Sequence, residues 1–408
     1  MDNITHSIIG FGVGEVVHRS LLAEADTPAQ RVRHRLLLVA CALASNFPDL
    51  DLFLTRLLPD PLRYLLNHRG HTHTVAWALP QALLLAALLW LCWPNARRLL
   101  AASRPARIGL ALSIGFGFAL HLLMDYTNSY GVHPWYPLDA RWLYGDMVFI
   151  IEPLFWVAIA VPMALIMRWR GLRIGGLILL AAALVAFAAR GFIGWPSFAA
   201  LLLVGLLCGW AQSRSGERGR GGLLLALAIS VGFIAVQGVA SHAGRAQITA
   251  DLQRIDPASR VLDVAMTAFP SQPLCWAYAS VESNAKAGTY RLRRGVASIA
   301  PDWLAPAACP AGLVEQKPAL ALGAGVLQQG SAEASLPQLR ALKASNCMVD
   351  AWLRFGRMPE LAHGALSDYR FAATPRGNFS TLPIAPPDAP APCPHGVPAW
   401  GYPRADLF

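Results

Sequence analysis

The stretch IGLALSIGFGFALHLLMDY, residues 108–126, carries no ionisable side chain from Ile108 to Leu120 and then presents two, His121 and Asp125. A run this apolar has the roughly 17–25 residues needed to cross the hydrocarbon core of a bilayer. His121 and Asp125 stand i, i+4 on one helix face and can grip one ion together. An ionisable pair in a membrane helix is costly and therefore functional by default.

Outward from it, apolar runs recur at 75–93, 107–124, 147–167, 173–190, 195–211 and 222–240, with two shorter ones at 4–18 and 36–47. Between them lie Arg-rich gaps: Arg19, Arg31, Arg33 and Arg35; Arg97, Arg98, Arg104 and Arg107; Arg168, Arg170 and Arg173; Arg214, Arg218 and Arg220. The alternate gaps are poor in Arg, so positive-inside logic puts the Arg-rich ones in the cytoplasm and both ends of an eight-helix chain outside. The 408 residues are 55% hydrophobic and only 14% charged, which fits a polytopic membrane protein rather than a soluble one. The net charge of +10 rests on these topology arginines, and a nucleic-acid partner is excluded on that ground. MDNITHSIIG lacks a basic n-region and a small-residue cleavage pattern, so no cleaved signal peptide is expected.

From about residue 241 Pro, Ser, Gln and Asp enter, and alternating runs such as RVLDVAMTAF, LCWAYASVES and TYRLRRGVAS read as strands. The expected architecture is an all-α polytopic membrane domain of about six to eight helices followed by a mainly β soluble domain. Its parts are a helical metal-site domain at 1–167, further transmembrane helices at 168–240, and a periplasmic β domain at 241–408 with an irregular Pro-rich tail near 383–398. Cys275, Cys309, Cys347 and Cys393 fall in the last part; their even number permits two disulfides outside the cytoplasm, and their spacing selects no pairing.

Eight of the eleven histidines precede residue 134. Most sit in three motifs, ITHSIIG (His6), NHRGHTHT (His68, His71, His73) and HLLMDYTNSYG (His121, Asp125), and a fourth, SNFPDLDLF, adds Asn46, Asp49 and Asp51. In the topology above all four lie at outer helix ends, as one shared site requires. Imidazole and carboxylate are the usual ligands of Zn²⁺ and other hydrolytic metals. Taken singly, His6 reads as an interfacial residue, Asp49-Leu-Asp51 as a helix-ending loop, NHRGHTHT as a wet loop, and His121 with Asp125 as a structural hydrogen bond. Together they favour a metal site. Pro48 favours extended backbone at Phe47, which would point Asp49 and Asp51 the same way, and one of them could bridge two ions. His71 is incidental. His18 and His34 are expected to be solvated. Glu152 is open between a hydrogen-bonded interfacial carboxylate, a ligand, an orienter of a ligand and a general base. Asp139 and Asp146 are weaker candidates, and Trp135, Tyr136, Trp142 and Tyr144 read as an interfacial aromatic belt.

Thr5-His6, Pro48-Asp49-Leu50-Asp51, His68-Arg69-Gly70-His71-Thr72-His73, and His121 to Asp125 with Tyr130-Gly131 together resemble the YdjM-like family of bacterial inner-membrane proteins described as metal-dependent hydrolases. The match covers roughly the first 155 residues. The resemblance implies a distant kinship with zinc-dependent phospholipase C and P1 nuclease, all-helical enzymes with multinuclear zinc sites. Many relatives have Asp-Pro where this chain has Glu152-Pro153, so a carboxylate is kept.

The expected function is a hydrolase of the inner membrane acting at its periplasmic surface. His6, Asp49, Asp51, His68, His73, His121 and Asp125 would hold one to three Zn²⁺-like ions, with Arg69 and Glu152 as the catalytic candidates beside a metal-activated water. Arg69 would hold a substrate phosphate or anchor its turn. The substrate class is a phosphoester or ester, and a lipid-linked one suits a site at headgroup level, with membrane lipids as partners. Two other readings stand: a non-catalytic metal scaffold or sensor, and, more weakly, a transporter, whose sites usually lie near the bilayer midplane.

Overall fold

The computed structural model describes residues 1–58, 62–216, 219–310, 312, 319–371, 377–385 and 392–408. Arg218 and 386–391, part of the expected Pro-rich tail, lie outside them.

Helices α1 (Asn3–Ser20) and α2 (Thr27–Ala44) each begin at an aspartate, Asp2 and Asp26, whose carboxylate accepts from first-turn amides. After α2 the chain bends by 57° into short helical turns, Pro48–Leu50, α3 (Asp51–Leu54) and Thr55–Leu57. There follow α4 (Arg63–Asn67), a single turn His71–His73, α5 (Val75–Cys92), α6 (Pro94–Ala102) and α7 (Arg104–Tyr126). An irregular loop then leads to α8 (Pro153–Ile166), α9 (Arg170–Ala189), α10 (Trp195–Arg214) and α11 (Gly221–Ile255). Among the described residues five helices are long and apolar enough to cross a membrane: α5, α7, α9, α10 and α11. α2 with the bent segment after it makes a sixth if the pair is one span.

Three expectations change. The run 147–167 is helical only from Pro153, because Glu152 caps the helix and Pro153 fits its first turn. Residue 241 is no boundary, since α11 continues for 35 residues to Ile255. Phe47 is α-helical rather than extended (φ −60°, ψ −41°), with Pro48 opening a 3₁₀ turn that it fits as first residue.

The domain beyond α11 is mainly antiparallel sheet. β1 (Arg260–Phe269), β2 (Gln272–Asn284), β3 (Thr289–Ser298), β4 (Leu320–Gly323) and β5 (Val326–Ser335) form a sheet of order β1-β2-β3-β5-β4. α12 (Leu336–Ser345) and α13 (Cys347–Leu353) follow, then a small sheet of β6 (Pro359–Ala362), β7 (Ala365–Asp368) and β8 (Leu382–Pro383). Disulfides join Cys275 to Cys309 and Cys347 to Cys393.

Glycines bring the helices carrying the site together. A Cβ on Gly10 of α1 would fall 2.8 Å from the Ala42 Cα, and one on Gly117 of α7 would fall 2.5 Å from the Ala44 Cβ. α1 and α7 therefore both lie against the end of α2. His6 is one turn before Gly10 and His121 one turn after Gly117, so this packing sets both beside the Pro48 turn.

Two cores tie the β domain to the helices. Ala240, Ile248 and Leu252 of α11 pack with Val264, Met266, Trp276 and Tyr278 of the sheet. Leu62, Leu65, Leu66, Tyr130 and Trp142 from the site loops pack with Trp352, Phe355 and Trp400. Trp142 and Tyr144 thus face protein, not a lipid interface: the Trp142 indole donates to the Arg354 carbonyl at 2.6 Å, and the Arg357 guanidinium lies 4.1 Å over the Tyr144 ring. Trp135 remains half-exposed.

Candidate metal centre

The four motifs converge. His6, His73, His121 and Asp125 are fully buried, and Asp49, Asp51 and His68 nearly so. The ligand-type atoms of Asp49, His73, His121 and Asp125 lie within 4.8 Å of one another, and so do those of Asp49, Asp51 and His68. Asp49 belongs to both groups.

Hydrogen-bond partners assign the tautomers of the two central histidines. The Nδ1 of His121 is 2.7 Å from the Ser45 carbonyl, which can only accept, so Nδ1 carries the proton and the neutral ring's Nε2 is a bare lone pair. The Nδ1 of His73 faces the Thr72 hydroxyl at 3.0 Å and an Asp51 oxygen at 3.3 Å, which frees its Nε2 in the same way. These two Nε2 atoms stand 3.0 Å apart. Two lone pairs at that distance repel unless a proton or a metal cation lies between them.

Carboxylates complete the set. Asp49 Oδ1 is 3.3 Å from His73 Nε2 and 3.8 Å from His121 Nε2; Asp125 Oδ2 is 3.3 Å and 3.7 Å from the same atoms. Tetrahedral ligands at about 2.0–2.1 Å from zinc lie about 3.3 Å from one another. Two imidazole nitrogens and two carboxylate oxygens at 3.0–3.8 Å therefore fit one such ion. The donor chemistry, nitrogen and oxygen without sulfur, suits a hydrolytic metal.

The other expected residues surround this set. His6 stacks on His121 (centroids 4.2 Å apart), with Nε2 3.3 Å from Asp125 and Nδ1 lacking a hydrogen-bond partner among the described residues. Asp51 is heavily engaged: one oxygen accepts from His68 Nδ1 at 2.9 Å, the other from the Arg69 amide and the Thr72 hydroxyl. Arg69 sits in the left-handed region (φ 56°), which makes the sharp bend between His68 and His73. Its guanidinium reaches both Asp125 oxygens at 2.9 Å and the Asn128 side-chain oxygen at 2.9 Å. The α-amino group of Met1 also pairs with Asp125. The cluster thus draws in cationic groups.

Burial lowers the pKa of His68, against the raising effect of Asp51. Burial acts the same way on His73, but the Asp49 and Asp51 carboxylates, which accept from its ring, outweigh it and raise that group overall.

Glu152 lies outside both groups. Its carboxylate caps α8 at the Leu154 amide and accepts from the amide and hydroxyl of Ser271 in the β1–β2 turn. Burial pushes its pKa up to about 7. Asp146 is held by Arg245 and Arg357, and Asp139 pairs with Arg141 at the surface. His34 is not simply solvated; its ring bonds Glu15 at 2.5 Å and packs 4.6 Å from His18. His71 is exposed. Sequence reasoning missed Ser45, Thr72 and Asn128 as orienting groups; the Thr next to His73 was the only visible signal.

The family model of the YdjM inner membrane protein matches the part of the chain that carries this cluster. The match runs over residues 1–194, a little under half of the chain. The matched region thus takes in all four motifs and runs through α9. The uncharacterized protein YfhP of Bacillus subtilis (strain 168) is 26% identical over 158 residues, 39% of this chain and 44% of that protein. The chain therefore spans less than half the length of that relative. No solved structure matches the chain.

Proposed function

We propose that this membrane protein is a metal-dependent hydrolase of phosphoesters or esters, working at the periplasmic surface of the inner membrane. The observation that carries the reading is the pair of facing Nε2 lone pairs, flanked by the Asp49 and Asp125 carboxylates. His73, His121, Asp49 and Asp125 would hold one Zn²⁺-like ion, and Asp49, Asp51 and His68 would hold a second, with Asp49 shared. With an ion held there, the site would have a metal-bound water of pKa about 7 available as the nucleophile. The Ser45 carbonyl and Asp51 fix the ligand histidines in the metal-facing tautomer. His6 supports His121 by stacking and turns its Nε2 to Asp125. Arg69 is already committed to Asp125 and Asn128, so its role is to position Asp125. Glu152 joins α8 to the β domain.

A lipid-linked substrate is favoured by a groove of about 530 Å³ beside the cluster. Its walls are apolar, including Leu43, Phe47 and Leu50 on one side and Leu85, Leu88 and Leu89 on the other; Asn46 is its polar member. The Asn3 amide links Asn46, at 3.4 Å, to Asp49, at 3.0 Å. A periplasmic orientation is favoured by the Arg-rich gaps and by the two disulfides, which persist in oxidising compartments.

The competing reading is a closed, non-catalytic metal module, and the depth of burial of the ligands favours it. Metal analysis of the purified full-length protein, followed by turnover of phospholipid, phosphodiester and ester probes, separates the two. Stoichiometric metal with turnover supports the hydrolase; metal without turnover moves the reading to the closed module. A metal-free protein under metal-replete conditions ends both. Orientation is tested by alkylating intact cells: four freely reactive cysteines in the β domain would refute the periplasmic placement.

A further inference from the structure

We propose that the C-terminal domain completes the metal centre, with Trp400 as a positioning residue that clamps the His68–His73 turn. This rests on the metal reading above.

Trp400 is buried eight residues before Phe408, more than 300 positions from the turn it touches. Its indole N–H donates to the Leu66 carbonyl at 2.8 Å, at the end of α4 just before His68. Its ring closes on Gly70: a Cβ there would fall 3.1 Å from Trp400 Cζ2 and 2.9 Å from the Asn67 oxygen. The same ring stacks on buried His133 (4.2 Å) and meets His71 (5.0 Å) and Tyr136 (4.7 Å). Arg69 holds a left-handed backbone in this turn, a conformation costly for a residue with a side chain unless its surroundings impose it. Trp400 and His133 form that surrounding.

The segment carrying Trp400 is itself held. The Arg354 guanidinium donates to the Trp400 carbonyl at 2.8 Å, the Gly401 amide to Ala140 at 2.9 Å, and Cys393 is bonded to Cys347 of α13. The surrounding domain is docked to the loop after α7 by Arg357 on Asp146 (2.9 Å) and by Arg370 on the Ser129 carbonyl (2.6 Å). The loop bearing His68 and His73 thus has the membrane helices on one side and this tail on the other.

The test uses full-length protein in detergent, with Zn²⁺ affinity measured by competition against a chromogenic chelator and hydrogen exchange followed in 68–74. Trp400→Leu and Trp400→Phe are compared with Trp276→Phe, which changes a buried tryptophan in the core between α11 and the sheet. Trp400→Leu is expected to weaken Zn²⁺ binding about tenfold and to speed exchange in 68–74. Trp400→Phe, keeping a ring but no donor, falls between it and wild type. Trp276→Phe lowers thermal stability and leaves both readouts unchanged. Wild-type affinity in Trp400→Leu, or equal loss in Trp276→Phe, overturns the proposal. If wild type takes up no metal, the metal reading fails separately. Exchange then decides the clamp: faster exchange confined to 68–74 supports it, and unchanged exchange overturns it.

Discussion

Replacing Arg69 by Met removes the guanidinium that neutralises Asp125 and keeps a flexible apolar chain of similar length. Arg69 is 3% exposed, and its group meets both Asp125 oxygens and Asn128 at 2.9 Å with the Tyr130 ring 4.8 Å away. Removing one partner of a buried pair costs about 3–5 kcal/mol, because the other charge is left uncompensated. The Met1 amino group, His6 and His73 remain beside Asp125, which puts the loss near the low end, about 3 kcal/mol. A divalent ion held by Asp125 restores the missing positive charge, so the deficit should shrink when metal is bound. The assay is a thermal melt of detergent-solubilised wild type and Arg69→Met, each with chelator and with saturating Zn²⁺. The variant should melt well below wild type in chelator, and Zn²⁺ should narrow the gap. A gap of the same size in both conditions, or none, would refute the claim that Arg69 and the ion share Asp125.

Asp49→Asn should lower bound metal per chain more than His68→Ala, because Asp49 alone belongs to both ligand groups; equal losses by metal analysis would count against a shared carboxylate. Glu152 should make stability depend on pH. Its pKa rises from 4.5 to about 7 on folding, so the folded state binds the proton more tightly and stability falls as pH climbs through that window, by about 3 kcal/mol in all. Melting curves from pH 5 to 8 should show this decline in wild type and lose it in Glu152→Gln. Cys347→Ser should destabilise the C-terminal domain by about 2–4 kcal/mol, read as faster proteolysis there; unchanged proteolysis would show the crosslink to be dispensable.

The helices and the meeting of the His and Asp motifs were legible because each rests on a local signal. Spanning length shows in one run of residues, and His121 with Asp125 shows in a fixed spacing. That Pro48–Asp51 forms a helical turn was not legible, since a proline before two aspartates suits both an extended strand and the first turn of a helix. The end of α11 was hidden because residues 241–255 turn polar where the helix leaves the lipid, and polarity alone reads as loop. Trp142 and Tyr144 were misread as an interfacial belt because nothing local tells an aromatic facing lipid headgroups from one facing a protein surface. The alternatives for Arg69 and Glu152 depended on partners far away in the chain, Asp125 and Ser271, and no spacing encodes those. Trp400 is the extreme case: its partner is separated from it by most of the sequence.

At about 1.5 Å per residue α11 is about 52 Å long, against about 30 Å of hydrocarbon. The last several turns therefore stand clear of the acyl chains as a single stalk, and their Ile248 and Leu252 are sunk into the sheet. The helix runs directly into the core that it shares with the β domain. Because α11 and the sheet share one core, a load placed on the sheet would be felt as torque by the helix bundle.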